Sequence, residues 1–480
     1  MATKKDLVEA YSFSRRRLVT AFVSGAPGGR EVEPARPGRT IVGGLALAVL
    51  LAAGAAIAGV FAPRTPTDWT QAGLIISKDT GAPYVIVDAD ADDPELRPVI
   101  NITSARLILG PDIEPMTISQ STIDDQRVGD DIGILGAPAT LPDPDRLIES
   151  GWTSCTAAGH GIRVRVAESP SVSSAEGRQV LVRSDGELFL VAQPPGDAGP
   201  SEAYVLRVPE QRRGGNTQTD TMLLALQAGV QADAVEVPRE WLNLFPRGGD
   251  LDWSTFDLDR VGRPAEGAGE TDSNVPKGAV IGDILVSDEG AALLTADGPV
   301  DLDPFSLAVY DNIDTPIGFR KPIQVGELPN RAFDKGPFDD AHWPTQTLDA
   351  LGDTDPCAQL LTEAGQPPMA QLAQAPGDDA AVGSIPATGK AATVDPGRGA
   401  YVLSGGWDDA DHGAPYAIDA KGRANPLVGG DAASQLGYGD YPVPVVPDSW
   451  VKLFDQGVDL SKDAALCPPA LPGTGGASCE

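Results

Sequence analysis

Apolar positions follow two regimes along the chain. From Ile41 to Ala62 they run almost unbroken as IVGGLALAVLLAAGAAIAGVFA, with no charged residue between Arg39 and Arg64. About 22 helical residues reach roughly 33 Å, enough to cross the ~30 Å core of a bilayer. The stretch therefore predicts one transmembrane helix. Its length, and the long lead before it, favour a retained signal anchor over a cleaved signal peptide.

Beyond Pro63 the apolar runs are short, and a recurring pattern replaces the long one: an apolar run, a polar turn usually holding Gly, and a second apolar run. It occurs as LIISKDTGAPYVIVD from Leu74, VLVRSDGELFLVA from Val180, DILVSDEGAALLTADG from Asp283, and between Ala400 and Gly422. Each copy reads as a β-hairpin. A more specific repeat follows two of them. PREWLNLFPRGGDLD from Pro238 and PDSWVKLFDQGVDLS from Pro447 align so that Trp241, Leu244, Phe245, Gly248, Asp250 and Leu251 coincide with Trp450, Leu453, Phe454, Gly457, Asp459 and Leu460. The spacing predicts a short helix opened by Pro, with Trp241, Phe245, Trp450 and Phe454 in the core, stopped by Gly before an Asp-Leu turn.

The expected fold is thus a single transmembrane helix plus a β-rich α+β external region, built from repeated hairpin and short-helix modules around a central domain. Expected boundaries are a cytoplasmic arm over residues 1–40, the membrane helix over 41–62, and external repeats with the central domain over 63–365. A Pro/Gly/Ala-rich linker over 366–399, a C-terminal repeat module over 400–467 and a tail over 468–480 complete the chain. Glu266 to Lys277 reads as a second linker.

Charge sets the direction of the membrane helix. The arm carries Lys4, Lys5, Arg15, Arg16, Arg17, Arg30, Arg36 and Arg39 against Asp6, Glu9, Glu31 and Glu33, while the whole chain is formally −32. The positive-inside rule keeps the arm in the cytoplasm and places the acidic remainder outside. That acidic surface would repel phosphate, so no nucleic-acid partner is expected. Within the arm, Asp6 to Val23 places Leu7, Tyr11, Leu18 and Phe22 on one helical face, which fits an interfacial helix or a docking helix. In the span, Gly44, Ala48, Ala52, Ala55 and Gly59 form a small-residue face on which another membrane helix would pack closely.

Four cysteines, Cys155, Cys357, Cys467 and Cys479, all follow the span. An even number outside the cytoplasm points to two disulfides with three possible pairings, the short terminal loop making Cys467 with Cys479 a natural pair. WTSC offers Trp152 as an aromatic neighbour for Cys155. With 3 His and no C-x-x-C spacing, no metal site is expected.

Several blocks carry a family resemblance: AYSFSRRRLVTAFVSG before the membrane helix, PELRPVINITSARLILG from Pro94 to Gly110, WTSC from Trp152 and DPCAQL from Asp355. Together they resemble EccB, the membrane subunit of the actinobacterial type VII (ESX) secretion system, over nearly the whole chain. The resemblance implies a disulfide between Cys155 and Cys357. It also implies work beside EccC, EccD and EccE, with the mycosin protease nearby, in the cell membrane. The expected function is a structural membrane-core subunit that self-associates.

Some EccB proteins are described as ATPases, so nucleotide hydrolysis is the alternative. The nearest P-loop is GSIPATGKA from Gly383, where five residues separate Gly383 from Gly389 and Ala391 stands where Ser or Thr belongs. DADADD from Asp88 lacks the Gly and Glu of a calcium loop, and Asn101-Ile-Thr103 reads as a structural turn. No G-x-S-x-G is present. Neither a catalytic residue nor a cofactor is expected, with ATP entering only under the alternative.

Overall fold

The computed structural model of the protein describes residues 3–24, 37–61, 69–71, 73–88, 93–196, 199–213, 216–270, 272–318, 320–330, 338–375 and 382–469. It divides into two compact units, residues 1–66 and 67–480.

The first unit holds helix α1 (Lys4–Ser24) and helix α2 (Pro37–Phe61). Among the described residues no helix is long and apolar enough to cross a membrane. Of the expected span 41–62, side chains are described from Ile41 to Ala55, about 22 Å of helix, and the rest lie outside the described residues. Gly44, Ala48, Ala52 and Ala55 fall in the described part, where Ile41, Leu45, Leu47 and Leu50 are well exposed. The side-chain position of Gly59 lies outside it.

The second unit contains four repeats of one topology. The first comprises β1 (Gly73–Ser77), β2 (Pro83–Ile86), β3 (Leu96–Pro98), α3 (Ile102–Leu109), β4 (Met116–Ile118) and α4 (Gln120–Asp124). Next come β5 (Trp152–Thr156), β6 (Ile162–Val166) and β7 (Ser173–Ser174), which belong to a central sheet. The second repeat comprises β8 (Arg178–Ser184), β9 (Glu187–Gln193), β10 (Tyr204–Val208), a ribbon of β11 (Arg212–Arg213) and β12 (Asn216–Thr217), α5 (Thr219–Ala225), β13 (Val235–Glu236) and α6 (Arg239–Leu242). The third has β14 (Ile284–Ser287), β15 (Gly290–Thr295), β16 (Gly298–Leu302), α7 (Pro304–Tyr310) and β17 (Ile323–Gln324). After β18 (Asp349–Ala350), strands β19 (Pro356–Leu361), β20 (Met369–Gln374) and β21 (Lys390–Val394) return to the central sheet. The fourth repeat closes the unit with β22 (Ala400–Gly405), β23 (Ala414–Ile418), β24 (Arg423–Pro426), α8 (Ala432–Gln435), β25 (Val445–Pro447), α9 (Asp448–Val451) and β26 (Asp455–Gln456), followed by α10 (Lys462–Leu466).

In every repeat the first three strands form an antiparallel meander, and the fourth, reached through a helix, lies parallel to the first. Local chemistry sets the hairpins. At the β8–β9 turn Asp185 and Gly186 both take positive φ, 51° and 80°, the type I′ geometry that Asp-Gly favours and that matches strand twist. The central strands β9 and β15 are buried on both faces and read as continuous apolar runs, whereas β16 alternates buried and more exposed positions. The second and third repeats share one core, including Leu190, Leu206, Met222, Phe256, Leu293 and Phe305. The first and fourth share another, including Leu74, Leu107, Tyr401, Tyr438 and Leu460. The C-terminal module therefore packs against the N-terminal repeat.

Of the expected linker 366–399, residues 376–381 lie outside the described residues, and both described parts on either side are built into the central sheet. Met369–Gln374 pairs along its whole length with β19, and Lys390–Val394 lies beside β6. The Ala-rich composition that resembles a linker serves close packing, since Ala370, Ala373 and Ala375 are buried in the central sheet or at its end. The second expected linker folds too. Ala265, Val275 and Ala279 cover the outer face of the third repeat at Leu285 and Leu294, and Gly269 N–H donates to Val275 O.

The Gly of the repeated Trp motif has a single geometric job. Gly248 N–H donates to Val205 O and Leu251 N–H to Arg207 O; Gly457 N–H donates to Ala424 O and Leu460 N–H to Pro426 O. The first repeat makes the same pair, Gly129 to Leu96 O and Ile132 to Pro98 O, so the motif occurs three times. A Cβ on Gly457 would sit 2.1 Å from Asn425 Oδ1, and Asn425 is buried and bonded to Ala417 O, Arg423 O and Val458 N. At Gly129 the obstacle is the Glu95 side chain, which is part-exposed and able to move. Gly457→Ala should therefore cost roughly 1–3 kcal/mol in urea unfolding, the range for overpacking. Gly129→Ala should cost clearly less, and equal effects would refute the pinned-asparagine explanation.

Candidate functional site

The central sheet runs β21-β6-β5-β19-β20-β7, so its two middle strands come from distant parts of the chain. Cys155 on β5 lies directly opposite Cys357 on β19, and the two are disulfide-bonded, with Cα atoms 4.0 Å apart and 202 residues of sequence between them. Both are buried among Ala157, Ala373, Ala375 and Val382 on one face of the sheet. Trp152 lies three residues from Cys155 and so points to the opposite face, where it joins the main core. It is not the packing neighbour of the disulfide that WTSC implies. Cys467 is buried and disulfide-bonded, and Cys479 lies outside the described residues.

The opposite face of the sheet gathers the tryptophans. Trp152, Trp241 and Trp450 are fully buried, with Phe245 and Phe454 beside them. Phe454 meets Trp152 edge-on at 5.5 Å, and Phe245 meets Trp241 at 5.1 Å. The indole N–H groups of Trp241 and Trp450 take different partners. Trp241 donates to Ser154 O on β5, tying the second repeat to the central sheet. Trp450 donates to Leu244 O, tying the fourth repeat to the second.

One cleft of about 660 Å³ opens where these repeats meet. It is lined by Glu240 and Asn243 of the α6 region, Lys390 at the head of β21, the β22–β23 connection with Trp407 and His412, and Asp448 and Lys452 of the α9 region. Sequence reasoning does not find this cleft, because its residues come from four separate segments with no shared spacing. Ser404, His412 and Asp448 all line it. The Ser404 hydroxyl, however, donates directly to the Asp448 carboxylate, and His412 is exposed beside Asp411 at 2.5 Å. A triad requires the imidazole between serine and carboxylate, and no described hydrogen bond joins His412 to Ser404.

The P-loop-like segment supplies Lys390 to the cleft but does not form a phosphate cradle. Gly389 N–H donates to Pro386 O, Gly389 O accepts from Ile162 N–H, and the segment leads into a strand instead of a helix. Among the described residues no cluster of His, Cys, Asp or Glu is placed to hold a metal ion. Residues 89–92 of the acidic run lie outside the described residues. Asn101 caps α3, accepting from Ser104 N–H and donating to Ile134 O.

A perturbed carboxyl lies elsewhere in the second repeat. Burial pushes Glu202 up, even though it accepts from Tyr204 Oη at 2.6 Å and has His342, stacked on Tyr204 at 4.4 Å, as a favourable neighbour. Burial and Glu202 together push the Tyr204 phenol up in turn. A carboxyl whose folded value exceeds its unfolded one favours folding most at low pH, and that contribution is lost as pH rises through the folded value. Glu202→Gln keeps an acceptor for Tyr204 and removes the buried charge. It should raise the melting temperature at pH 7 with the difference vanishing near pH 4, and a variant less stable at pH 7 than the parent would contradict this assignment. Truncating either repeated tryptophan to Ala should cost roughly 3–5 kcal/mol in chemical denaturation. Because Trp450 binds one repeat to another, both variants should still unfold in one transition. Two separated transitions would show the second and fourth repeats to be independent.

Comparison with known proteins places this architecture. The family described as "Type VII secretion system ESX-1, transport TM domain B" matches residues 1–471. A relative from Mycolicibacterium smegmatis (strain MKD8), "ESX-1 secretion system ATPase EccB1", is 26% identical over 449 residues, covering 89% of this chain and 87% of the relative. "ESX-1 secretion system ATPase EccB1" of Mycobacterium tuberculosis (strain ATCC 25618 / H37Rv) is 32% identical over 157 residues, and the match spans 30% of that protein's length and 32% of this chain. In fold, the chain is similar to a chain of an intact ESX-5 inner membrane complex, with TM-score 0.60, 20% identity, and coverage of 100% of this chain and 98% of the other. It is also similar to the EccB3 dimer from the ESX-3 core complex, with TM-score 0.58, 20% identity, and coverage of 82% and 100%. With four repeats, a central sheet and a family match that runs almost from end to end, the chain belongs to the EccB family of type VII secretion proteins.

Proposed function

We propose that this chain is a structural membrane-core subunit of a type VII (ESX) secretion complex. The observation that carries this reading is the second unit itself: buried surface joins repeat to repeat, and the sizeable cleft among the described residues holds its serine and carboxylate bonded to each other. In this reading residues 41–62 span the plasma membrane once, with the basic arm in the cytoplasm and the acidic unit outside. The small-residue face of Gly44, Ala48, Ala52, Ala55 and Gly59 packs against a membrane helix of a partner. The partners are EccC, EccD, EccE and the mycosin protease, together with a second copy of this chain, an arrangement in keeping with the dimer that names one related structure.

Two observations favour a second reading, nucleotide hydrolysis: the word ATPase in the names of relatives, and Lys390 in the cleft. Phosphate release by the purified full-length chain, compared with Lys390→Ala, separates the readings. A structural subunit shows no release that depends on Lys390, whereas a steady rate abolished by Lys390→Ala would overturn it. Reporters fused after Ala2 and after Glu480 should report cytoplasm and exterior respectively, and an external N-terminus would defeat the topology.

A further inference from the structure

We propose that α1 is an interfacial helix that lies on the anionic inner surface of the membrane, with its apolar face in the lipid. The proposal rests on the spanning reading of residues 41–62. Leu7, Tyr11, Leu18 and Phe22 repeat at intervals of four, seven and four, which stacks them along one side of the helix, and Val8 and Val19 widen the stripe. None is covered: Tyr11 is 73% exposed, Leu18 72% and Phe22 93%.

The other side of the helix satisfies itself. Arg17 sits over the Phe13 ring at 5.9 Å, and the Ser12 and Thr20 hydroxyls donate to Glu9 O and Arg16 O. Nothing within the helix covers the apolar stripe, so whatever covers it comes from outside the helix.

Charge identifies that partner. The helix carries Lys4, Lys5, Arg15, Arg16 and Arg17 against Asp6 and Glu9, in a chain whose formal charge is −32. Basic residues beside an apolar stripe complement an anionic headgroup layer over hydrocarbon. Arg15 projects near the stripe, and its long stem lets the guanidinium reach back to the headgroups. Residues 25–36 connect α1 to α2, at most roughly 40 Å of extended chain, so a spanning α2 keeps α1 within reach of the bilayer.

The test uses the full chain in vesicles with an environment-sensitive dye on one introduced thiol, since no described cysteine is free. Phe22→Cys reads the apolar face, Phe13→Cys the opposite face, and Leu47→Cys reads α2 as an independent control on the span. In phosphatidylcholine mixed with phosphatidylglycerol, the dye at position 22 should report an apolar environment and the dye at position 13 water. The signal at 22 should fall in phosphatidylcholine alone, in about 1 M salt, where the Debye length is about 3 Å, and in a variant with Arg15, Arg16 and Arg17 all changed to Gln. Water at position 22 in anionic vesicles overturns the proposal, as does protection at 22 that arises only when other secretion subunits are present, which would make α1 a protein-docking helix. Water at position 47 defeats the spanning reading separately, whatever position 22 reports.

Discussion

The second unit depends on one seam, the antiparallel contact of β5 with β19, fastened by Cys155 and Cys357. Closing a loop of 202 residues removes on the order of 5 kcal/mol of chain entropy from the unfolded state, far more than an exposed ion pair supplies. The seam also interlocks the two halves. The first half contributes β5, β6 and β7, and the second contributes β19, β20 and β21, yet β7 pairs with β20 and β21 pairs with β6. Neither half can complete the sheet without the other.

The repeats then extend from this centre in two pairs. The third repeat packs on the second, and the first packs on the fourth, so the N-terminal repeat completes the half made last. Trp241 and Trp450 occupy matching places in a shared motif but bond to different backbones. That difference ties the second repeat to the sheet and the fourth repeat to the second, and it removes any strict symmetry between the halves.

What was legible in the sequence was what is local. Hairpins such as the one at Asp185-Gly186 and the Trp motif are written in a few adjacent residues, whereas Asn101, read as a turn, in fact caps α3. The third copy of the motif was hidden because Thr122 stands where Trp241 and Trp450 stand, and only the Gly129 and Ile132 hydrogen bonds reveal it. The Ala-rich strands Met369–Gln374 and Lys390–Val394 resemble linker because alanine marks both loose linkers and tightly packed strands, and composition does not distinguish them. The partnership of first and fourth repeats, like the cleft around Lys390, joins segments hundreds of residues apart. The basic arm and the acidic remainder of the chain, by contrast, are plain from charge alone, and they underlie both the proposed orientation and the proposed lipid contact of α1.

The central claim is that two interlocked halves form one cooperative body around the seam. Hydrogen exchange on the second unit, with its disulfides intact and after Cys155→Ser with Cys357→Ser, tests it most directly. If the claim holds, loss of the bond lowers protection together in β5, β19 and the segments around Trp241 and Trp450, although these lie on the opposite face of the sheet. If protection falls only in β5 and β19 while both tryptophan segments keep theirs, the seam is a local staple and the account is wrong.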